Sequence, residues 1–161
     1  ICLPVAFPVS FINGQCQVSG KKAQGVVLKK ELTGGTDIFQ IDYTSAYATA
    51  VPELEKLIRT FTYNRAGEGT FVIEDRFEAV SGISFETAIT TRADWKMIGN
   101  NRLELVLGGE KMTVDIEAPG VVEFDSETVE VNSPAYTRIG IRLKKPLQSG
   151  SVRLIMYPSR P

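Results

Sequence analysis

Three pairs of neighbouring acids are the first residues in this 161-residue sequence that could do chemistry: Glu74 with Asp75, Asp115 with Glu117, and Asp125 with Glu127. Two carboxylates held across a sugar serve as acid and base, or acid and nucleophile, in glycoside hydrolysis. The acid of such a pair needs surroundings that keep it protonated, and nothing along the chain marks one of these six in that way. Acids two apart on a strand read first as a solvated face. The chain contains no histidine, which removes the commonest acid/base group at neutral pH and the commonest transition-metal ligand together. Hydrolase triads built on Ser/His/Asp or Cys/His are closed to it. No Asp-x-Asp-x-Asp run with its glycine offers a calcium loop, and Gly108-Gly109 lacks the following helix of a phosphate loop. Cys2 and Cys16, without His or a Cys-x-x-Cys pair, make no zinc site. No catalytic residue, metal or cofactor is expected. The two cysteines read as unpaired, mostly buried thiols rather than a bridge.

Binding chemistry has more raw material. Trp95, Tyr47, Tyr63 and Tyr136 are aromatics that could stack on sugar rings, with Arg59, Arg92 and Arg138 as hydrogen-bond donors to hydroxyls or carboxylates. Core or sheet-rim packing is the plainer use of the same aromatics. Eighteen Lys and Arg against 19 Asp and Glu leave a net charge of -1, so no basic field exists to gather nucleic acid, and none is expected as a partner. The pairs Lys21-Lys22, Lys29-Lys30 and Lys144-Lys145 read as edge protection or solubility. No stretch approaches the roughly 18 apolar residues of a membrane span, and no membrane partner is expected. The start Ile1-Cys2-Leu3-Pro4, without an initiator Met or a charged signal region, reads as a piece cut from a larger protein.

Short β-branched and aromatic runs separated by Gly, Asn, Asp and Pro position these residues, and they predict an all-β fold: a two-sheet antiparallel β-sandwich of about twelve strands. Strands are expected at 5–12, 15–19, 23–32, 37–43, 59–63, 70–75, 83–91, 95–98, 102–107, 111–117, 121–124, 128–131, 137–143 and 152–157. Asn13-Gly14 is a hairpin signal, since both residues tolerate positive φ. Asp37 to Tyr43 reads as a strand covered on both sides. The one helix candidate is Ser45 to Leu57, at one or two turns, from the spacing of Leu54, Leu57 and Ile58 with Pro52 near its start. Leu103, Leu105 and Leu107, then Met112, Val114 and Ile116, alternate with polar residues around Gly108-Gly109 as a hairpin with one wet face. No repeat or linker divides the chain, so residues 1–161 are read as one domain.

The succession Phe11-Ile12-Asn13-Gly14-x-x-Gln17-x-x-Gly20, Ala23, Asp42-Tyr43-Thr44-Ser45-Ala46-Tyr47, Arg59 and Phe71-Val72-Ile73-Glu74-Asp75-Arg76-Phe77, closing on Met156-Tyr157-Pro158, resembles the C-terminal β-sandwich of the heparinase II/III-like polysaccharide lyases. The resemblance implies an upstream α/α toroid in the same chain and cleavage of an acidic, uronate-containing polysaccharide by β-elimination in the cleft between the two parts. It places the proton-abstracting and carboxylate-neutralising groups mainly in the toroid, and makes this chain a non-catalytic scaffold that lines one wall of the cleft. Asn13, Gln15 and Gln17 are then the candidate substrate-binding residues, with a plain turn role as the alternative for Asn13. A periplasmic or secreted location follows from the same resemblance. Family members tend to carry a His just before the Asn-Gly motif, where Phe7 and Pro8 stand here, which argues against a catalytic contact or a metal in this sandwich. Asp42, Thr44, Tyr47 and Arg59 would be structural, with an Asp42–Arg59 fork tying the Ser45–Leu57 excursion to the sheet. The rival readings are an independent carbohydrate-binding module and a carboxylate- or Tyr/Arg-based enzyme within this domain.

Overall fold

The computed structural model describes residues 9–130 and 135–159. Among them twelve strands run in chain order: β1 (Phe11–Ile12), β2 (Val26–Leu32), β3 (Thr36–Asp42), β4 (Leu54–Asn64), β5 (Thr70–Ile83), β6 (Phe85–Thr91), β7 (Asp94–Gly99), β8 (Arg102–Leu107), β9 (Glu110–Glu117), β10 (Val122–Val129), β11 (Tyr136–Leu143) and β12 (Leu147–Pro158). They form two sheets, one of four strands in the order β1-β6-β11-β10 and one of eight in the order β2-β3-β4-β5-β12-β9-β8-β7. All pairings are antiparallel. The predicted all-β sandwich is the observed fold.

Alternation decides which side chains meet between the sheets. Ile139 and Ile141 of β11, with Phe85 and Ile89 of β6, face Leu57, Phe77, Val152, Leu154, Val114, Ile116, Leu103 and Leu105 of the larger sheet, and all are buried. Phe77 and Phe85 stack across the gap with ring centroids 4.6 Å apart. The smaller sheet thus covers β4, β5, β12, β9 and β8, while β2 and β3 contribute nothing to this core. The expectation that Asp37–Tyr43 is covered on both sides is therefore corrected. β3 is half-buried along its length because it lies one strand from an edge, beyond the reach of the other sheet.

The predicted helix is also corrected. Residues Thr44–Ala46 form a single 3₁₀ turn, and Leu54 already begins β4. Leu54 and Leu57 both point inward because the register slips by one residue between Leu54 and Lys56. A β-bulge gives two apolar residues three apart on one face, which imitates helical spacing. Other boundaries shift for similar reasons. The Asn13-Gly14 turn forms as expected, with φ of 51° and 71° and reciprocal bonds between Ile12 and Gln15, but no strand continues to Ser19. The runs 121–124 and 128–131 are one strand, β10, and Val131 lies outside the described residues. The run 83–91 is broken at Ser84, where the chain passes from the larger sheet to the smaller.

Cys16 is disulfide-bonded, which corrects the expectation of two free thiols; Cys2, Phe7 and Pro8 lie outside the described residues. Two cysteines carry no spacing signal that separates a bridge from two thiols; only the folded backbone brings sulfurs within bonding reach.

Candidate functional site

Two polar clusters interrupt the apolar pattern, one between the sheets and one on the outer face of the smaller sheet. The inner cluster is built by register. Arg59 lies directly opposite Asp75 across β4 and β5, and its Nε and Nη2 donate to Asp75 Oδ1 and Oδ2 at 2.6 and 2.7 Å. Tyr43 Oη donates to Asp75 Oδ1 at 3.1 Å, while Tyr47 Oη donates to the Ser10 carbonyl at 2.6 Å. Burial works against the Arg59 cation, but the adjoining Asp75 carboxylate outweighs it and holds the guanidinium above its ordinary pKa. Burial pushes the Tyr43 and Tyr47 hydroxyls up as well, with the Asp75 charge adding to the effect.

The expected Asp42–Arg59 fork is not formed. Asp42 lies opposite Ile58, one residue out of step, so it projects from the other face of the sheet. It accepts instead from the backbone N and Oγ1 of Thr44 at 2.9 and 2.6 Å. Thr44 Oγ1 in turn accepts from Leu57 N at 2.8 Å, so the excursion is tied to the sheet through Thr44.

The outer cluster lines a cleft of about 550 Å³. Residues of β6, β10 and β11 that alternate with the core-facing ones supply its walls: Glu86, Asp125, Glu127, Arg138 and Arg142, with Phe11 and Gly14 at one end. Arg138 is only 4% exposed and pairs with Glu86 through Nη2–Oε1 at 2.7 Å. Its guanidinium lies 4.5 Å from the centre of the Phe11 ring, and its Nε is buried without a hydrogen-bond partner among the described residues. Gly140, beside its cross-strand partner Ala88, lies beneath these side chains. A Cβ on Gly140 would stand 2.2 Å from Asp125 Oδ1 and 2.9 Å from Glu86 Oε1. The missing side chain is what lets two carboxylates and a guanidinium converge. Three acids against two arginines make the lining net negative by one, so it favours neutral or cationic groups over a polyanion.

Of the predicted site residues, Asn13 stands at the rim of this cleft, next to Gly14. Its backbone N donates to Ser84 O at 3.0 Å and its Oδ1 accepts from Ser84 N at 2.9 Å, which clamps the point where β5 hands over to β6. Gln15 and Gln17 are exposed just beyond. The remaining candidates are scattered. Glu74 and Asp75, as strand neighbours, face opposite ways, and Glu74 accepts from Ser151. Asp115 is paired with Arg102 and accepts from Tyr157, while Glu117 is paired with Arg153. Only Asp125 and Glu127 share a concave site. Tyr47 is fully buried and Trp95 packs against the core, whereas Tyr136 and Arg92 come together in a shallow depression of about 190 Å³. Glu86 and Gly140 were not singled out by the sequence. The one signal for them is a pair of small residues, Ala88 and Gly140, in otherwise bulky strands.

Comparison with solved structures decides what fold this is. A heparinase III structure superposes with a TM-score of 0.71 at 17% identity, over 94% of this chain and 23% of that one. The fold is that of one portion of heparinase III. The heparan sulfate lyase HepC from Pedobacter heparinus matches with a TM-score of 0.76 at 14% identity, over 96% of this chain and 24% of HepC. A further heparinase III structure gives 0.71 at 11% identity, again over 24% of its length. The chain therefore spans about a quarter of the lyases it resembles. No family model and no curated protein sequence matches it. No helix among the described residues is long and apolar enough to cross a membrane.

Proposed function

We propose that this chain is an accessory, non-catalytic β-sandwich of a heparinase II/III-like polysaccharide lyase, bracing an upstream catalytic toroid in the same polypeptide and lining one wall of the cleft for an acidic, uronate-containing polysaccharide. The carrying observation is the match over nearly all of this chain but only about a quarter of each lyase. The absence of histidine from the sequence supports a scaffold role, because elimination needs a base for the sugar proton and a group that neutralises the adjacent carboxylate. The tyrosine hydroxyls of Tyr43, Tyr47 and Tyr157 are all displaced upward in pKa, away from what a phenolate base requires. Asn13, Gln15 and Gln17 are the proposed wall residues, since amide side chains can bond sugar hydroxyls from the exposed turn. The Cys16 disulfide fits an oxidising compartment, periplasmic or extracellular.

The test is lyase activity on heparan sulfate, followed by the ultraviolet absorbance of unsaturated uronides. The parent polypeptide is expected to turn over and this chain alone to be silent. Turnover by the isolated chain, or its absence from the parent on every uronate polysaccharide tried, overturns the reading.

A further inference from the structure

The larger sheet extends past the smaller one at β2, β3 and the far ends of β4 and β5, and the overhang has a marked sidedness. On the face that continues the inner surface, Val27 lies opposite Ile41, and Phe39 opposite Phe61. The Phe61 ring stacks with Phe71 at a centroid distance of 6.2 Å. None of these five belongs to the core or packs against it, among the described residues, and Val27 is 53% exposed. The reverse face of the same strands carries Lys29, Gln40, Thr60 and Glu74, in register across four strands. Aliphatic residues occur on both faces, with Ile38, Ile58 and Val72 on the reverse one, but the aromatic rings Phe39, Phe61 and Phe71 stand on the first face alone, with Lys30 opposite Phe39 at its edge. They are half-buried, and no core residue among the described ones covers them, which suits a protein interface.

We propose that this overhang is the docking surface for the rest of the parent polypeptide, which covers it with an apolar protein surface. The inference rests on the accessory-domain reading and adds which face of the sandwich makes the contact. Three observations favour this occupant. The lyases that share the fold carry about three-quarters of their length outside the matching portion. Apart from Lys30 at the edge, the Val, Ile and Phe side chains present no hydrogen-bonding atoms, so the patch suits a dry protein contact better than a glycan, whose hydroxyls would find few partners there. A second copy is disfavoured at the free edge, because β2 carries Lys29-Lys30 and a bulge between Val27 and Lys29. Two-fold pairing centred on either lysine would set it against its own copy.

Hydroxyl-radical footprinting of the parent polypeptide beside this chain alone tests the proposal. Oxidation of Phe39, Phe61 and Phe71 is expected to fall severalfold in the parent, while Met97, at the opposite edge of the sheet, keeps its rate. A Phe61→Lys variant of the parent is expected to restore oxidation at Phe39 and Phe71 and to speed proteolysis between the two parts, with the variant chain alone keeping its circular dichroism. Equal oxidation in parent and isolated chain overturns the proposal. So does protection of the isolated chain that grows with its concentration, which marks a second copy, or that appears only on adding a heparan sulfate oligosaccharide. Lyase turnover is read separately. Protection without turnover keeps the interface and removes the lyase reading; turnover without protection does the reverse.

Discussion

Thr87 of the smaller sheet donates a 2.7 Å hydrogen bond to Asp75 of the larger one, and Asp75 is at the same time gripped by Arg59. One carboxylate, 1% exposed, therefore couples the two layers through polar contacts inside an otherwise apolar core. Buried charges of this kind hold only while every partner is present.

Removing the carboxylate takes away the only counter-charge among the side chains shown to contact Arg59 and the acceptor that Tyr43 and Thr87 share. Asp75→Ala is expected to cost about 3–5 kcal/mol in denaturant unfolding. Arg59→Lys, which keeps the charge but loses the planar fork, is expected to cost about 1.5–3 kcal/mol. Asp42→Ala loses only its bonds to Thr44 and is expected to cost about 1 kcal/mol. Equal losses for Asp42→Ala and Asp75→Ala would contradict this assignment of the fork.

Alkaline pH tests the same cluster from the tyrosine side. Burial raises the Tyr43 and Tyr47 pKa values above those of the unfolded chain. Their contribution is complete below the unfolded value of about 10 and is lost as pH rises past it toward the folded values. Urea midpoints are expected to fall steeply above about pH 10, and less steeply in the Tyr43→Phe, Tyr47→Phe double variant. A parallel decline in both proteins would remove these two groups as the cause.

Acid works on β9, on the other side of the larger sheet from β4. The hydrogen bond from Arg102 leads, with one from Tyr157 assisting, and holds the Asp115 carboxyl below its ordinary range despite some burial. Its stabilising effect is present above the unfolded pKa of about 3.9 and disappears as pH falls through the lower folded value. Asp115→Asn should flatten that part of the acid unfolding curve.

Two glycines each lie under a buried and an exposed neighbour. A Cβ on Gly150 would meet the Phe77 ring at 2.9 Å and the exposed Pro119 at 3.2 Å, and the fully buried ring cannot move aside. Gly150→Ala is expected to cost about 1–3 kcal/mol. On Gly140 the nearest atom is the tip of the exposed Asp125, which can swing out toward solvent, but Glu86 Oε1 at 2.9 Å and Arg138 Nη1 at 3.2 Å belong to a buried ion pair that cannot. Gly140→Ala is expected to cost a similar amount, and the Asp125→Ala background should remove only the part of it that comes from Asp125. Thermal unfolding of the three variants orders them.

Reduction of the Cys16 disulfide is expected to lower stability by about 2–4 kcal/mol. The Cys16→Ser variant should match the reduced protein and be insensitive to reductant; a variant that still responds would place the effect elsewhere.

Period-two alternation in stretches such as 102–107 and 111–117, with Gly108-Gly109 between them, was enough to read strands, a hairpin and a two-layer core, because each side chain's face follows from its position along one strand. The absence of imidazole likewise followed from composition, and the fold resemblance from the order of short motifs. Leu54 and Leu57 misled, because a bulge shifts facing by one residue and leaves no mark in composition. Which acid meets Arg59 depends on register between strands: Asp42 and Asp75 look equivalent in the sequence, but parity sends them to opposite faces. The cleft above Gly140 and the half-buried aromatics Phe39, Phe61 and Phe71 outside the core arise from strand order and from the unequal width of the two sheets. Those are contacts between residues far apart in the chain, and only the folded structure could decide them.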